Sequence, residues 1–145
     1  WVTGALTFII DHMSAQHPSR TFYISLFRQM MKKISKLQDK QGFWHSSLLD
    51  TTSYPMPEAS ASGFFTYSLF WGLNHGYLEK EEYLPIAEKA WNALVSVVHE
   101  DGKIGYVQPI GADPKKVDMN DTEVYGTGAF LLAATEYVKY LKHTK

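Results

Sequence analysis

Aromatic and polar side chains occur together in the segments that connect the predicted helices. Aromatic residues make up 14% of the sequence. Trp44 follows Gly42 in a long predicted loop, and its large rigid ring could either stack on the face of a sugar or anchor the loop in the core. The neighbouring His45 could donate to or accept from a hydroxyl or a carboxylate, or be an ordinary loop histidine. Both are therefore candidate substrate-binding residues.

A second group of candidates stands at the start of two predicted helices. Glu58 and Ser60 precede one apolar helix, and Tyr125 occupies the equivalent place in the next unit. A carboxylate and a hydroxyl at a helix start can cap free amides, and they can equally contact a ligand. We include Glu58, Ser60 and Tyr125 as candidate substrate-binding residues, with capping as the alternative.

The sequence has no motif for a metal site, an activated nucleophile or a phosphate-binding loop. The chain has no cysteine, its 6 histidines show no metal-ligand spacing, and no nucleophile elbow or phosphate loop occurs. We therefore predict neither a metal nor a cofactor. Turn formation is a sufficient explanation for the loop aspartates, and we assign no catalytic role to them: Asp39, Asp50, Asp101, Asp113 and Asp121.

Composition limits the class of protein and its partners. A chain of 145 residues with 45% hydrophobic and 20% charged residues can build one core. The formal charge of -1 argues against a nucleic-acid partner. No apolar run is long enough to predict a membrane span. The absence of cysteine leaves a cytoplasmic, periplasmic or secreted location equally open.

Apolar periodicity and turn residues predict an all-α fold. The first helix ends before the pair His17-Pro18, the second begins after the expected N-cap Ser19, and the third ends at Gly76. The five predicted segments are roughly residues 1–13, 20–37, 58–75, 81–99 and 122–141.

An internal repeat relates the first, third and fifth predicted helices. Gly4, Gly63 and Gly128 each stand near the small-residue start of an apolar helix, 59 and then 65 residues apart. A single helical hairpin cannot bury its apolar face, so such units must stack or close into a ring. The small residues favour close helix packing, and we predict that the starts of these three helices, with the long loops before them, surround one mouth.

The motifs at these positions resemble those of a known enzyme group. The runs QDKQGFW at 38–44, EASAS at 58–62 and YGTGAFLLA at 125–133, with Tyr54 and Glu136, are similar to the C-terminal portion of glycoside hydrolase families 88 and 105, the unsaturated rhamnogalacturonyl hydrolases. This resemblance implies an (α/α)6 barrel of the six-hairpin type. The chain would supply about five of twelve helices, with residues 1–145 as the C-terminal fragment of one catalytic domain.

The resemblance also implies an activity and a further site residue. Family members remove the unsaturated uronic acid from the non-reducing end of pectin fragments that a lyase has produced. Trp1 would close the family motif Arg-Gly-Asn-Gly-Trp and bind the substrate. The acid that protonates the double bond would be an aspartate upstream of this motif, so we predict no catalytic residue in the chain and no activity for it alone.

A non-catalytic helical-repeat module that binds a glycan or a protein is the alternative function. An upstream aspartate would favour the enzyme, and its absence would favour the module. An incomplete barrel would also expose apolar helix faces, so we expect the isolated chain to self-associate.

Overall fold

The computed structural model describes residues 1–111, 113–114 and 116–143, and these residues form five α-helices. Within these ranges the chain has no β-strand, only isolated bridges that pair His45 with Pro57 and Val98 with Ile104. The all-α prediction is confirmed. The helices are α1 (Val2–His12), α2 (Arg20–Ser35), α3 (Ala59–Asn74), α4 (Lys80–Ser96) and α5 (Val124–His143).

Two details at the helix ends differ from the sequence predictions. α4 stops at Ser96 rather than near residue 99, because a turn at Gly102 (φ 84°) brings the chain back to pair Val98 with Ile104. Ser19 makes no side-chain capping bond. The connection from α1 into α2 is instead held by Arg20, whose guanidinium donates to two carbonyl oxygens at the end of α1. Gly76, with φ 67°, ends α3 as predicted.

α3 is the central helix of the fold, and it contacts each of the other four helices. Most of its residues are buried. Its neighbours α1 and α5 lie on either side of it, at positions where glycines allow close approach. A Cβ atom added at Gly63 would lie 2.9 Å from Cβ of Ala129 on α5, and one added at Gly4 would lie 3.0 Å from the ring of Phe64 on α3. Gly4 and Gly63 therefore allow α1 and α5 to pack closely against α3.

The outer edges of α1 and α5 carry apolar side chains that nothing described covers. On α1, Val2 and Phe8 are 61% and 62% exposed, and on α5, Val124 and Leu131 are 86% and 58% exposed. Gly128 of α5 has no neighbouring atom within 4 Å of an added Cβ. The packing that repeats from α1 to α3 to α5 thus stops at two open edges. None of the helices in the described part of the chain is long and apolar enough to cross a membrane.

Candidate functional site

A cavity of about 590 Å³ lies where the N-termini of α1, α3 and α5 meet. We call it the mouth cavity. The two long loops, residues 36–58 and 97–123, complete its walls. The structure thus brings the starts of the three repeated helices to one place. Among the residues that line the mouth cavity are five of the six predicted substrate-binding residues: Trp1, His45, Glu58, Ser60 and Tyr125.

Aromatic rings form one wall of the mouth cavity. Trp1 is 69% exposed, and its ring centroid lies 4.8 Å from that of Phe64 and 6.2 Å from that of Tyr125. The Tyr125 hydroxyl donates a hydrogen bond to the backbone oxygen of Gln108, which joins α5 to the second long loop. Burial, assisted by the negative charges of Glu123 and Glu58, raises the pKa of Tyr125. This wall therefore offers an exposed indole face beside a neutral tyrosine.

Glu58 is a buried carboxylate that caps α3. Its Oε1 accepts hydrogen bonds from the Ser60 amide at 3.2 Å, the Ser60 hydroxyl at 2.9 Å and the Gln108 amide at 3.2 Å. Its Oε2 accepts from the Ala61 amide at 2.6 Å and from the Ser60 hydroxyl at 3.0 Å. The capping alternative is therefore what the structure shows. Glu58 also fixes the second long loop against α3, because the Gln108 amide belongs to that loop.

His45 lies between two hydrogen-bond acceptors. Its Nε2 is 3.1 Å from Oδ2 of Asp39, and its Nδ1 is 3.1 Å from the backbone oxygen of Tyr54. An ionised carboxylate and a carbonyl only accept, so a ring nitrogen that carries a proton donates to the acceptor beside it. The other carboxylate oxygen of Asp39 accepts from the amides of Gly42 and Phe43 at 2.7 and 2.8 Å. Asp39 and His45 together order the first long loop.

Trp44 is the predicted site residue that does not line the mouth cavity. Its side chain is fully buried. The indole Nε1 donates to the backbone oxygen of Ile34 at 2.8 Å, and the ring packs edge-on against Phe65 with centroids 5.2 Å apart. With no exposed face, Trp44 cannot stack on a sugar in this structure. It has the anchoring role that was the alternative interpretation, and it ties the first long loop to α2.

Three of the loop aspartates accept short-range hydrogen bonds from backbone amides. Asp50 accepts from the Ser53 amide, Asp101 from the Lys103 amide and Asp121 from the Asp118 amide. For Asp50 and Asp101 the amide lies two or three residues after the carboxylate, as in an ordinary turn, whereas for Asp121 it lies three residues before. No group of three or more potential metal ligands occurs among residues 1–111, 113–114 and 116–143.

Sequence reasoning missed the contribution of the second long loop. Gln108 lines the mouth cavity, and its backbone contacts both Glu58 and Tyr125. Tyr106 has a left-handed backbone (φ 59°) and accepts from the Ala59 amide at 2.9 Å. The available signal was only a loop with aromatic residues and prolines, which does not indicate where the chain folds back against α3. These contacts depend on tertiary structure.

The model of Glycosyl Hydrolase Family 88 matches residues 1–141 of this sequence. The chain belongs to glycosyl hydrolase family 88. A curated relative from Formosa agariphila, named unsaturated 3S-rhamnoglycuronyl hydrolase, is 45% identical over 139 residues, which are 96% of this chain and 37% of the relative. The family 88 chain thus spans well under half of that relative.

Two solved structures are similar to this family 88 chain. A glycosyl hydrolase family 88 protein from Bacteroides vulgatus is 41% identical with a TM-score of 0.93, and the match covers 97% of this chain and 41% of that one. A protein named as a polysaccharide lyase is 44% identical with a TM-score of 0.92, over 98% and 41% of the two chains. The five helices form part of an (α/α)6 barrel, so the predicted fold class is confirmed.

Proposed function

We propose that the protein containing this chain is a hydrolase that removes an unsaturated uronic acid from the non-reducing end of oligosaccharides left by a polysaccharide lyase. The observation that carries the proposal is the mouth cavity, where an exposed indole stands beside Tyr125 and a hydrogen-bonded carboxylate in a family 88 fold. A flat, polar sugar fits a site with one aromatic wall and several polar groups.

The substrate that we propose contains rhamnose next to the unsaturated uronic acid. The family resemblance favours a rhamnogalacturonan fragment of pectin. The name of the Formosa agariphila relative specifies a rhamnoglycuronyl substrate for that protein. Both substrates share the unsaturated uronic acid that the mouth cavity would receive, and they differ in the parent polysaccharide. Oligosaccharides from each source should be assayed in parallel.

Residues of the mouth cavity would contact different parts of the sugar. Trp1 would stack on the sugar ring, because its indole face is exposed, and Tyr125 would form the adjacent wall. Glu58 would hold the polar wall in place, because its two oxygens already accept hydrogen bonds from groups of the chain. The Ser60 hydroxyl oxygen would accept from a sugar hydroxyl. His45 lines the cavity between its two loop contacts and would lie beside the uronate. These assignments concern binding, and none of them is catalytic.

The remaining part of the barrel would provide the acid. We propose that residues 1–145 are part of one (α/α)6 catalytic domain, because the chain covers 41% of the family 88 structure that it resembles. The motif resemblance favours the C-terminal part. The family resemblance implies an upstream aspartate. That acid would protonate the double bond, water would add to the resulting cation, and the hemiketal would collapse to release the next sugar. One water is consumed for each glycosidic bond that is cleaved.

Ultraviolet absorbance of the conjugated double bond tests this function. The intact protein should decrease the absorbance of lyase-generated oligosaccharides, and Trp1→Ala should reduce kcat/KM by about tenfold or more, as expected for the loss of one stacked ring. This chain alone should give no product. An absorbance increase on uncut polysaccharide would instead identify a lyase, the activity for which one of the similar structures is named. Binding without any absorbance change would favour a non-catalytic module.

We also propose that the exposed edges of α1 and α5 are covered by the other helices of the barrel in the intact protein. The isolated chain would cover these apolar faces by association with a second copy. Light scattering should give a mass above the 16.5 kDa of a monomer for this chain. A clean monomer at micromolar concentration would contradict this proposal.

A further inference from the structure

We propose that a groove beside the mouth cavity is a second carbohydrate subsite, which binds an acidic sugar unit further along the same oligosaccharide. The inference rests on the proposed function, because it extends the same substrate. The groove has a volume of about 910 Å³ and lies between the end of α2, the first long loop and the second long loop. We call it the outer groove.

The outer groove and the mouth cavity share a wall. His45 and Leu48 line both of them. An oligosaccharide whose terminal unit occupies the mouth cavity could therefore continue into the outer groove over these two side chains. It would not have to cross the packed core, which here consists of buried Trp44 and its neighbours. Continuity makes one extended ligand a better occupant than two separate molecules.

The charges around the outer groove favour an anion. Lys36 and Lys40 line it, both are exposed, and neither forms an ion pair with any residue that the structure describes. Asp39 is the only acidic residue in the lining, and its carboxylate is already engaged by His45 and by the Gly42 and Phe43 amides. The cations are therefore available to a ligand carboxylate or sulfate ester, whereas the anion is not.

The groove also has apolar surface of the kind that contacts the faces of sugar rings. Leu49 lines it and is 78% exposed. Tyr106 lies across the groove from the first loop, and its left-handed backbone (φ 59°) is held by hydrogen bonds to Asp118 and Ala59. A non-glycine residue in this conformation is strained, and surrounding structure must maintain it. A strained aromatic residue in a groove with free lysines is consistent with a binding surface.

The experiment compares substrate lengths and charges. We would prepare Lys36→Gln/Lys40→Gln in the intact protein, with Lys33→Gln/Lys142→Gln as a control that removes the same charge from exposed helix positions outside both cavities. Calorimetry would give the affinity for saturated di- and tetrasaccharides with and without sulfate esters, and absorbance assays would give KM for the unsaturated forms. Direct binding of saturated sugars does not require turnover, so it reports on the subsite even if the proposed hydrolysis fails.

We expect the double lysine variant to bind the acidic tetrasaccharide about fivefold more weakly, as two exposed ion pairs at moderate salt would give. Its disaccharide affinity and kcat should match those of the control. If the variant loses more affinity for the sulfated than for the unsulfated tetrasaccharide, the sulfate ester is the recognised group. If it loses the same affinity for these two tetrasaccharides, the carboxylate is the recognised group. Equal losses for di- and tetrasaccharide, or no loss relative to the control, would overturn the proposal.

Discussion

Replacement of Gly63 by alanine should destabilise the chain, although alanine is the better helix former. An added Cβ would lie 2.9 Å from Cβ of Ala129, 3.1 Å from its carbonyl carbon and 3.3 Å from the Phe130 nitrogen. Two of these three atoms are backbone atoms of α5, so relief requires the two helices to separate. Overpacking of this kind costs about 1–3 kcal/mol, and the helix preference of alanine over glycine offsets about 1 kcal/mol. The expected net loss in the free energy of unfolding is about 1 kcal/mol.

Gly128→Ala is the matched control for this prediction. Gly128 is also inside a helix, but no atom lies within 4 Å of its added Cβ. The substitution should therefore stabilise the chain by about 0.5–1 kcal/mol through helix preference alone. Urea unfolding at fixed protein concentration, followed by circular dichroism, would measure both changes. If Gly63→Ala stabilised the chain as much as Gly128→Ala, the close packing of α3 on α5 would be refuted.

Three further predictions concern the core and the mouth cavity. Glu58→Ala should lower the free energy of unfolding by about 2 kcal/mol, because it removes a buried cap and leaves several donors unpaired. The control Glu123→Ala should change it by less than about 0.5 kcal/mol. Chemical denaturation measures both changes, and equal changes would contradict the capping role of Glu58. Trp44→Phe should lower the free energy of unfolding by about 2 kcal/mol and leave the substrate affinity of the intact protein unchanged. Weaker substrate binding at unchanged stability would contradict the anchoring role of Trp44. Burial raises the pKa of Tyr67 above its ordinary value of 10.0, so the unfolded state loses this proton at a lower pH than the folded state. The free energy of unfolding should therefore fall as the pH rises above that value. Tyr67→Phe should show a smaller fall in denaturation measured across this pH range, and an equal fall would contradict the prediction.

The helices were predictable because their signals are local. The apolar spacing, the prolines and Gly76 fixed all five helices to within about three residues at each end. The largest difference, at the end of α4, has a tertiary cause: pairing of Val98 with Ile104 replaces the last helical turn. Ser19 has the right residue type for a cap, but the structure stabilises that helix start through Arg20 instead. Local propensity does not contain this information.

The meeting of the helix starts was predictable from the sequence, whereas the contacts of each candidate residue were less so. The repeat indicated that three helix starts would meet, and the structure brings Trp1, Glu58 and Tyr125 to one cavity. Sequence alone could not separate an exposed tryptophan from a buried one, because Trp1 and Trp44 are both aromatic candidates next to glycine-containing segments and differ in tertiary exposure. It also could not show that the backbone of Gln108 closes the cavity, since that contact joins residues 50 positions apart.

The most direct test of the central claim is a crystal structure of the intact protein with a lyase-generated disaccharide, at a pH where turnover is slow. We predict that the remaining helices complete a ring against α1 and α5, and that the unsaturated uronic acid lies in the mouth cavity with its ring against Trp1. A disaccharide bound outside this cavity, or a fold in which α1 and α5 remain open to solvent, would contradict the account.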